Sequence, residues 1–355
     1  VAIEMNRNKA SANKEAYTLP EPCGLVLAIS AFNHPINLVI HQVIPALAAG
    51  CPVIMKPALT TPLVARTLIG LLHQAGFPKE MCQYLLCGNE VTAELAQDKR
   101  LGFVSFIGSS KVGWELRSKL APGVRCVLEH GGAAPLIVLD DFDEDKLISH
   151  TLKGVFYHAG QVCVSVQRLY IPSSKKEVIN RMVEEAQKLK VGSAHLEETQ
   201  VGPIITPEAC DRIEAWVNEA LLEGAQLLCG GKRSAPNYYE PTILLNPRVE
   251  SKVSAEEVFG PVLCIYTYDD LSSAITQANA LPYDFQAGVF SSDIEQAKEV
   301  AAQLKAMAVM INTHTAFRVD WMPFGGSSES GLGVGGISYS IDDMTKKKLY
   351  VIDHS

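Results

Sequence analysis

The run Gly24-Leu-Val-Leu-Ala-Ile-Ser-Ala-Phe-Asn-His-Pro-Ile-Asn-Leu-Val-Ile-His-Gln-Val-Ile-Pro-Ala-Leu-Ala-Ala-Gly-Cys-Pro-Val-Ile-Met-Lys56 decides the fold. Gly24 to Ser30 is continuously apolar, as a strand buried on both faces must be. Pro35 to Ala49 follows as an apolar-rich helix with proline at its start. Cys51 to Lys56 is then a second apolar strand. Strand, helix and strand in that order form one crossover of a parallel sheet.

The alternation continues outward. A helix from Pro62 to Gln74 is followed by strand candidates at Met81 to Cys87, Gly102 to Ile107 and Val124 to Leu128, with helices near 90–97 and 111–120 between them. Continuous apolar strands alternating with helices predict a doubly wound α/β domain, which holds its ligands at the carboxyl ends of its strands. A second α/β series starts at Pro135-Leu-Ile-Val-Leu139. It continues through helices at Lys175 to Lys190 and Asp211 to Glu223 and strands at 261–268, 285–290 and 307–312. The tail, Lys346 to Ile352, reads as one isolated strand, for which a neighbouring subunit is a candidate partner.

A chain of 355 residues calls for more than one core. With 47% hydrophobic and 20% charged residues it is an ordinary globular sequence. Its formal net charge of −8 argues against nucleic-acid and anionic-membrane partners. No apolar run approaches the length of a membrane span, and nothing resembles a secretory leader. Nine cysteines without paired spacing fit reduced thiols in the cytoplasm. No His, Cys, Asp or Glu cluster has metal-ligand spacing, so no metal is expected.

Cys163, in Ala159-Gly-Gln-Val-Cys-Val-Ser165, lies where Gly160 and Gln161 break a helical pattern, so its thiol sits at a turn. Most other cysteines lie in or beside apolar runs and read as small buried hydrophobes. Position alone leaves Cys163 either a nucleophile or a structural cysteine. Glu129 directly follows the strand Val124 to Leu128 and precedes Gly131-Gly132, which aims a carboxylate into a crevice or leaves it on the surface. His130 has no ligand partner and reads as structural or pocket-lining. Gly108-Ser109-Ser110 turns from a strand into a helix, whose N-terminus can receive a phosphate. Gly331-Leu-Gly-Val-Gly-Gly336 follows a polar loop and reads as a turn. Asn33 and Lys56 end the first two strands, placed for an oxyanion and for a ribose or phosphate respectively.

Taken in order, these pieces resemble the aldehyde dehydrogenase superfamily. The matching segments are Ala31-Phe-Asn-His-Pro35, Pro45-Ala-Leu-Ala-Ala-Gly50, Lys56-Pro57, Phe106-Ile-Gly-Ser-Ser-Lys-Val-Gly113, Glu129-His-Gly-Gly132, Gly160-Gln-Val-Cys163, Glu257-Val-Phe-Gly-Pro261 and Pro323-Phe-Gly-Gly326. The resemblance implies an oligomerisation hairpin at 1–20 and a dinucleotide-binding domain at 21–128. A catalytic domain at 129–330 and a return segment with an oligomerisation strand at 331–355 would follow. It implies a homodimer or homotetramer. The family carries a substantial stretch before the hairpin that this sequence does not contain, which implies a fragment.

The resemblance also assigns roles. Cys163 would be the nucleophile, Glu129 the general base and Asn33 the oxyanion donor. Lys56, Gly108, Ser109, Glu257 and Phe259 would hold NAD or NADP. Leu59 stands where NAD-preferring relatives often carry a Glu, so NADP is permitted. Phe32, His34, Val162, Arg318 and Phe324 would line the aldehyde tunnel. Phe317-Arg-Val-Asp320 resembles relatives acting on lactaldehyde, phosphonoacetaldehyde or succinate semialdehyde, so Arg318 implies a short polar or anionic aldehyde. The competing readings are a coenzyme-A-acylating dehydrogenase, which would lack Glu129, and a silent scaffold of the same fold.

Overall fold

The computed structural model describes residues 1–354. The chain forms two compact units. One comprises Val1–Leu128, Asp320–Pro323 and the chain from Val334 onward; the other comprises Glu129–Val319 and Phe324–Gly333.

In the first unit, Leu25–Ile29 pairs in parallel with Val53–Lys56 on one side and with Leu101–Ile107 on the other. Cys82–Tyr84 extends the sheet beyond Val53–Lys56, and Arg125–Glu129 lies beside Leu101–Ile107. Between strands run the helices Pro35–Ala48, Pro62–Gln74, Asn89–Ala96 and Ser110–Ser118. The first two carry proline in their first turn, where its missing N–H removes no helical bond. The core is built from Val26, Ala28, Val39, Val43, Val53, Met55 and Phe103, drawn from both strands and helices.

The tail departs from its sequence reading. Thr345–Asp353 is not isolated within the chain: it pairs antiparallel with Lys14–Pro22, from Lys14 opposite Asp353 to Pro22 opposite Thr345. Ala2–Ile3 adds a short third strand to Lys14–Pro22. Hydrophobic periodicity cannot reveal such a pairing, because the partners lie more than three hundred residues apart.

The second unit holds a seven-stranded sheet. Its order is Gln226–Cys229, Thr242–Leu245, Val262–Tyr268, Val166–Pro172, Ala134–Val138, Gln286–Phe290 and Ala308–Ile311. Neighbours pair in parallel throughout except at the Gln226–Cys229 edge, which is antiparallel. Helix starts are capped by side chains: Asp143 accepts from Lys146 N–H, Asp270 from Ser272 and Ser273, and Asp293 from Glu295 and Gln296. The helix expected from Asp211 begins one turn earlier at Pro207, because Thr206 caps it through Ala209 N–H. Val166–Pro172 is buried at every position, and its Arg168 guanidinium is satisfied by the carbonyls of Ala133, Gln277 and Ala278. No helix of the described residues is long and apolar enough to cross a membrane.

Candidate active site

The second unit gathers its candidate residues around one turn. Ser165 N–H donates to the Val162 carbonyl at 3.0 Å, closing a loop with Cys163 inside it. This loop is held on three sides. Gln161 donates to the Pro203 carbonyl at 3.1 Å and accepts from Ile205 N–H at 2.8 Å. Ser165 Oγ donates to the Gly154 carbonyl at 3.0 Å, and Thr315 Oγ donates to the Val164 carbonyl at 2.5 Å. Upstream, His158, Ala159 and Gly160 all adopt positive φ, at 54°, 55° and 69°. Only glycine fits the last position, because a Cβ there would stand 2.1 Å from the Gly260 carbonyl oxygen. The break in helical pattern at Gly160 is therefore a left-handed turn that delivers the thiol.

Val162, Val164, Phe285 and Phe324 form an apolar cluster against which Cys163 and Ala316 pack. The Arg318 guanidinium lies over the Phe324 ring, 4.0 Å from its centroid. Glu129 keeps some accessible surface yet is enclosed by protein, as a group lining a narrow crevice is. Burial pushes its carboxyl up to about 7, against the opposing pull of the Arg318 charge. Glu257 is also pushed up to about 7 by burial, while Gly132 N–H and Arg212 favour its ionised form. Gly131 leaves room for that carboxylate: a Cβ at Gly131 would stand 1.6 Å from Glu257 Oε1.

The Cys163 thiol is raised well above the ordinary range. Burial contributes most, followed by the negative charges of Glu257 and Glu129, with Arg318 pulling the other way. An activated nucleophile calls for a lowered value. The structure differs because the thiol is enclosed by protein and two carboxylates share that enclosure. His130 is structural: its Nδ1 donates to the Glu329 carbonyl at 3.0 Å and its N–H to the Ser330 carbonyl at 3.1 Å. Together these bonds fix the turn after Glu129.

In the first unit the other candidates share one sheet edge. Lys56 is the last residue of Val53–Lys56; Phe32, Asn33 and His34 follow Leu25–Ile29; Gly108 and Ser109 follow Leu101–Ile107. These three strands are adjacent and parallel, so all six residues stand at their carboxyl ends. Asn33 is buried. Lys56 is 6% exposed and its ammonium makes no hydrogen bond or ion pair among the described residues; burial lowers its pKa. The Ser110–Ser118 helix starts at Ser109 without a side-chain cap, so its first N–H groups are not taken up by a capping side chain. The Lys56 ammonium and an uncapped helix start at the same end of one sheet fit the ribose hydroxyls and pyrophosphate of a dinucleotide. Leu59 is 56% exposed, so no acidic group at that position opposes a 2′-phosphate. Phe259 stands at φ 49°, in the loop that carries Glu257.

Sequence reasoning missed Gln167, Thr315 and Gln161, which hold the functional loops rather than line them. A polar pair, Gln167-Arg168, inside an otherwise apolar strand run was the available signal.

Known proteins share the sequence pattern and the fold of this chain. The family model described as Aldehyde dehydrogenase family matches residues 2–350. The chain is 40% identical over 346 residues to a 3-sulfolactaldehyde dehydrogenase of Priestia aryabhattai, covering 97% of this chain and 72% of that protein. Aldehyde dehydrogenase 21 of Physcomitrella patens, solved in complex with the reaction product succinate, superposes with a TM-score of 0.96 at 35% identity. That match covers 100% of this chain and 74% of the other. Glyceraldehyde-3-phosphate dehydrogenase of Methanocaldococcus jannaschii, complexed with NADP, gives a TM-score of 0.94 at 35% identity over 99% of this chain and 76% of the other. The chain belongs to the aldehyde dehydrogenase family.

Proposed function

We propose that the protein oxidises a short polar or anionic aldehyde to its carboxylic acid with NAD(P)+. One observation carries this reading: a turn-borne thiol, a carboxyl held near neutrality and an arginine whose charge both of them feel share one enclosure. Cys163 Sγ gives its proton to solvent water and bonds to the aldehyde carbon, whose carbonyl π pair moves onto the oxygen as an alkoxide. Asn33 is the side chain assigned to that oxyanion, a donor of a kind worth about 3–4 kcal/mol. NAD(P)+, when bound, supplies the hydride acceptor that leaves a thioester on Cys163. Glu129 then takes a proton from water as its oxygen attacks the thioester carbon; the C–S bond breaks, and return of that proton to the departing sulfur leaves the acid and the thiol. With its carboxyl at about 7, Glu129 is poised to hold or release a proton near neutral pH.

Lys56, Gly108, Ser109, Glu257 and Phe259 hold the dinucleotide. Val162 and Phe324 supply an apolar wall, Phe32 and His34 are the further tunnel residues that the resemblance implies, and Arg318 selects for a negative or hydroxylated substituent. The relatives support this class: one is named for 3-sulfolactaldehyde, which carries a sulfonate, and one solved structure holds succinate. Nine free cysteines support a cytoplasmic location, and the protein assembles as a homodimer or homotetramer.

The test is nicotinamide reduction without coenzyme A, with NAD+ and NADP+ separately, over neutral and anionic aldehydes. Turnover that vanishes in Cys163→Ala and favours anionic aldehydes is expected. Dinucleotide binding without turnover on any aldehyde would instead make the chain a silent scaffold.

A further inference from the structure

Glu257 sits in a loop outside the regular elements, and its carboxylate lies over Gly131. The side chain that fixes this loop comes from the neighbouring strand. Gln167 Nε2 donates to the Glu256 carbonyl at 2.7 Å, and Gln167 Oε1 accepts from Val258 N–H at 3.0 Å. These two groups belong to the peptide planes on either side of Glu257. One amide therefore holds both dihedral angles of that residue, as a partner strand would. A third bond, from Nε2 to the Val253 carbonyl at 2.9 Å, anchors the amide to the short helix before the loop. Gln167 is 5% exposed, and water cannot replace it without opening the strand. Arg212 adds a bond to the Val258 carbonyl at 2.8 Å. Gln167 also lies four residues beyond Cys163, on the strand that leaves the nucleophile turn.

We propose that Gln167 is a positioning residue: it sets the backbone of Glu257 and so registers the dinucleotide-binding carboxylate against the segment that carries Cys163. This rests on the proposed role of Glu257 toward NAD(P)+. Its loss leaves two peptide groups without partners and lets the carboxylate turn away from Gly131, while the thiol stays on its own anchors, Gln161, Ser165 and Thr315.

The experiment is a double-mutant cycle on the native protein, reading the KM for NAD(P)+, the KM for aldehyde and the rate of Cys163 alkylation by iodoacetamide without dinucleotide. Gln167→Met, close in shape but without the amide, is expected to raise the dinucleotide KM about tenfold and to leave the alkylation rate and aldehyde KM unchanged. In a Glu257→Gln background the same change is expected to raise it no further. Gln167→Glu keeps the acceptor for Val258 N–H and recovers the donor only when protonated. Its dinucleotide KM relative to wild type is expected to fall as pH drops from about 8 to about 6. Should Gln167→Met fail to fold, the cycle is run with Gln167→Glu. A dinucleotide KM unchanged by Gln167→Met, or one that rises equally with and without Glu257, overturns the positioning role alone. An unchanged KM in Glu257→Gln overturns the assignment of Glu257 to the dinucleotide, and the role of Gln167 with it.

Discussion

Glu129 and Glu257 are buried carboxyls that titrate near neutrality, and their two pH effects have opposite sense. As the base for thioester hydrolysis Glu129 must be ionised, so kcat is expected to rise with pH through about 7. Glu129→Gln is expected to lower kcat by about 10²- to 10⁴-fold and abolish that limb, with a burst of one reduced nicotinamide per site if hydrolysis becomes limiting. Stability runs the other way. Each folded-state value, about 7, lies above the ordinary 4.5, so the folded chain binds these protons more tightly than the unfolded chain. That contribution is complete below pH 4.5 and is lost as pH rises through about 7. A thermal midpoint followed across this window is expected to vary less in Glu129→Gln than in wild type; an equal slope would show that Glu129 is solvated. At this scale the sequence was legible where a residue interrupts a pattern. Gly160 marked the turn of Cys163, and two glycines marked the strand end at Glu129. The raised thiol was not legible, since it arises first from tertiary burial and then from two carboxylates 34 residues upstream and 94 downstream of the cysteine.

Loops, not strands, separate a binding fold from a working site here. The nucleophile turn and the loop through Thr315 and Arg318 are joined by the bond from Thr315 Oγ to the Val164 carbonyl, with Thr315 fully buried. Thr315→Val keeps the volume but strands that carbonyl, an effect of about 1–3 kcal/mol. Thermal stability and the rate of Cys163 alkylation are both expected to fall, and Thr315→Ser is expected to restore the alkylation rate. If valine alkylates as fast as threonine, the bond does not hold the turn. Gly131→Ala probes the facing loop: its methyl would occupy the space of Glu257 Oε1, so the carboxylate must move. Weaker dinucleotide binding with an unchanged Cys163 alkylation rate is the expected result, read by titration of the two. Strands and helices were legible because burial on both faces leaves unbroken apolar runs, and Pro35 and Pro62 mark helix starts. Bonds such as Thr315 to Val164 span 151 residues and leave no periodic trace.

Across the molecule, alternation of strand and helix announced parallel sheets but not which strands are neighbours. The order that sets Val166–Pro172 beside Val262–Tyr268, and so Gln167 beside the Glu257 loop, depends on crossovers that apolar patterning does not encode. The same holds for the terminal strand, whose pairing with Lys14–Pro22 apolar patterning does not encode. That sheet bears on assembly. On one face Tyr17 stacks on Tyr350 with centroids 5.3 Å apart. On the other, Leu349 and Val351, opposite Thr18 and Ala16, are 54% and 55% exposed. Thr345–Asp353 is also the last strand of its sheet, so its outer edge offers unpaired backbone groups to a second copy. Three consecutive lysines, Lys346 to Lys348, stand at its start, so the apolar contact is confined to its second half. If a subunit interface covers this face, replacing Leu349 and Val351 together with lysine puts charge where it must be desolvated. Sedimentation is then expected to show monomers at concentrations where the wild type is a dimer or tetramer, with the Cys163 alkylation rate preserved. An unchanged assembly mass would remove this face from the interface and leave the exposed leucine and valine as ordinary surface.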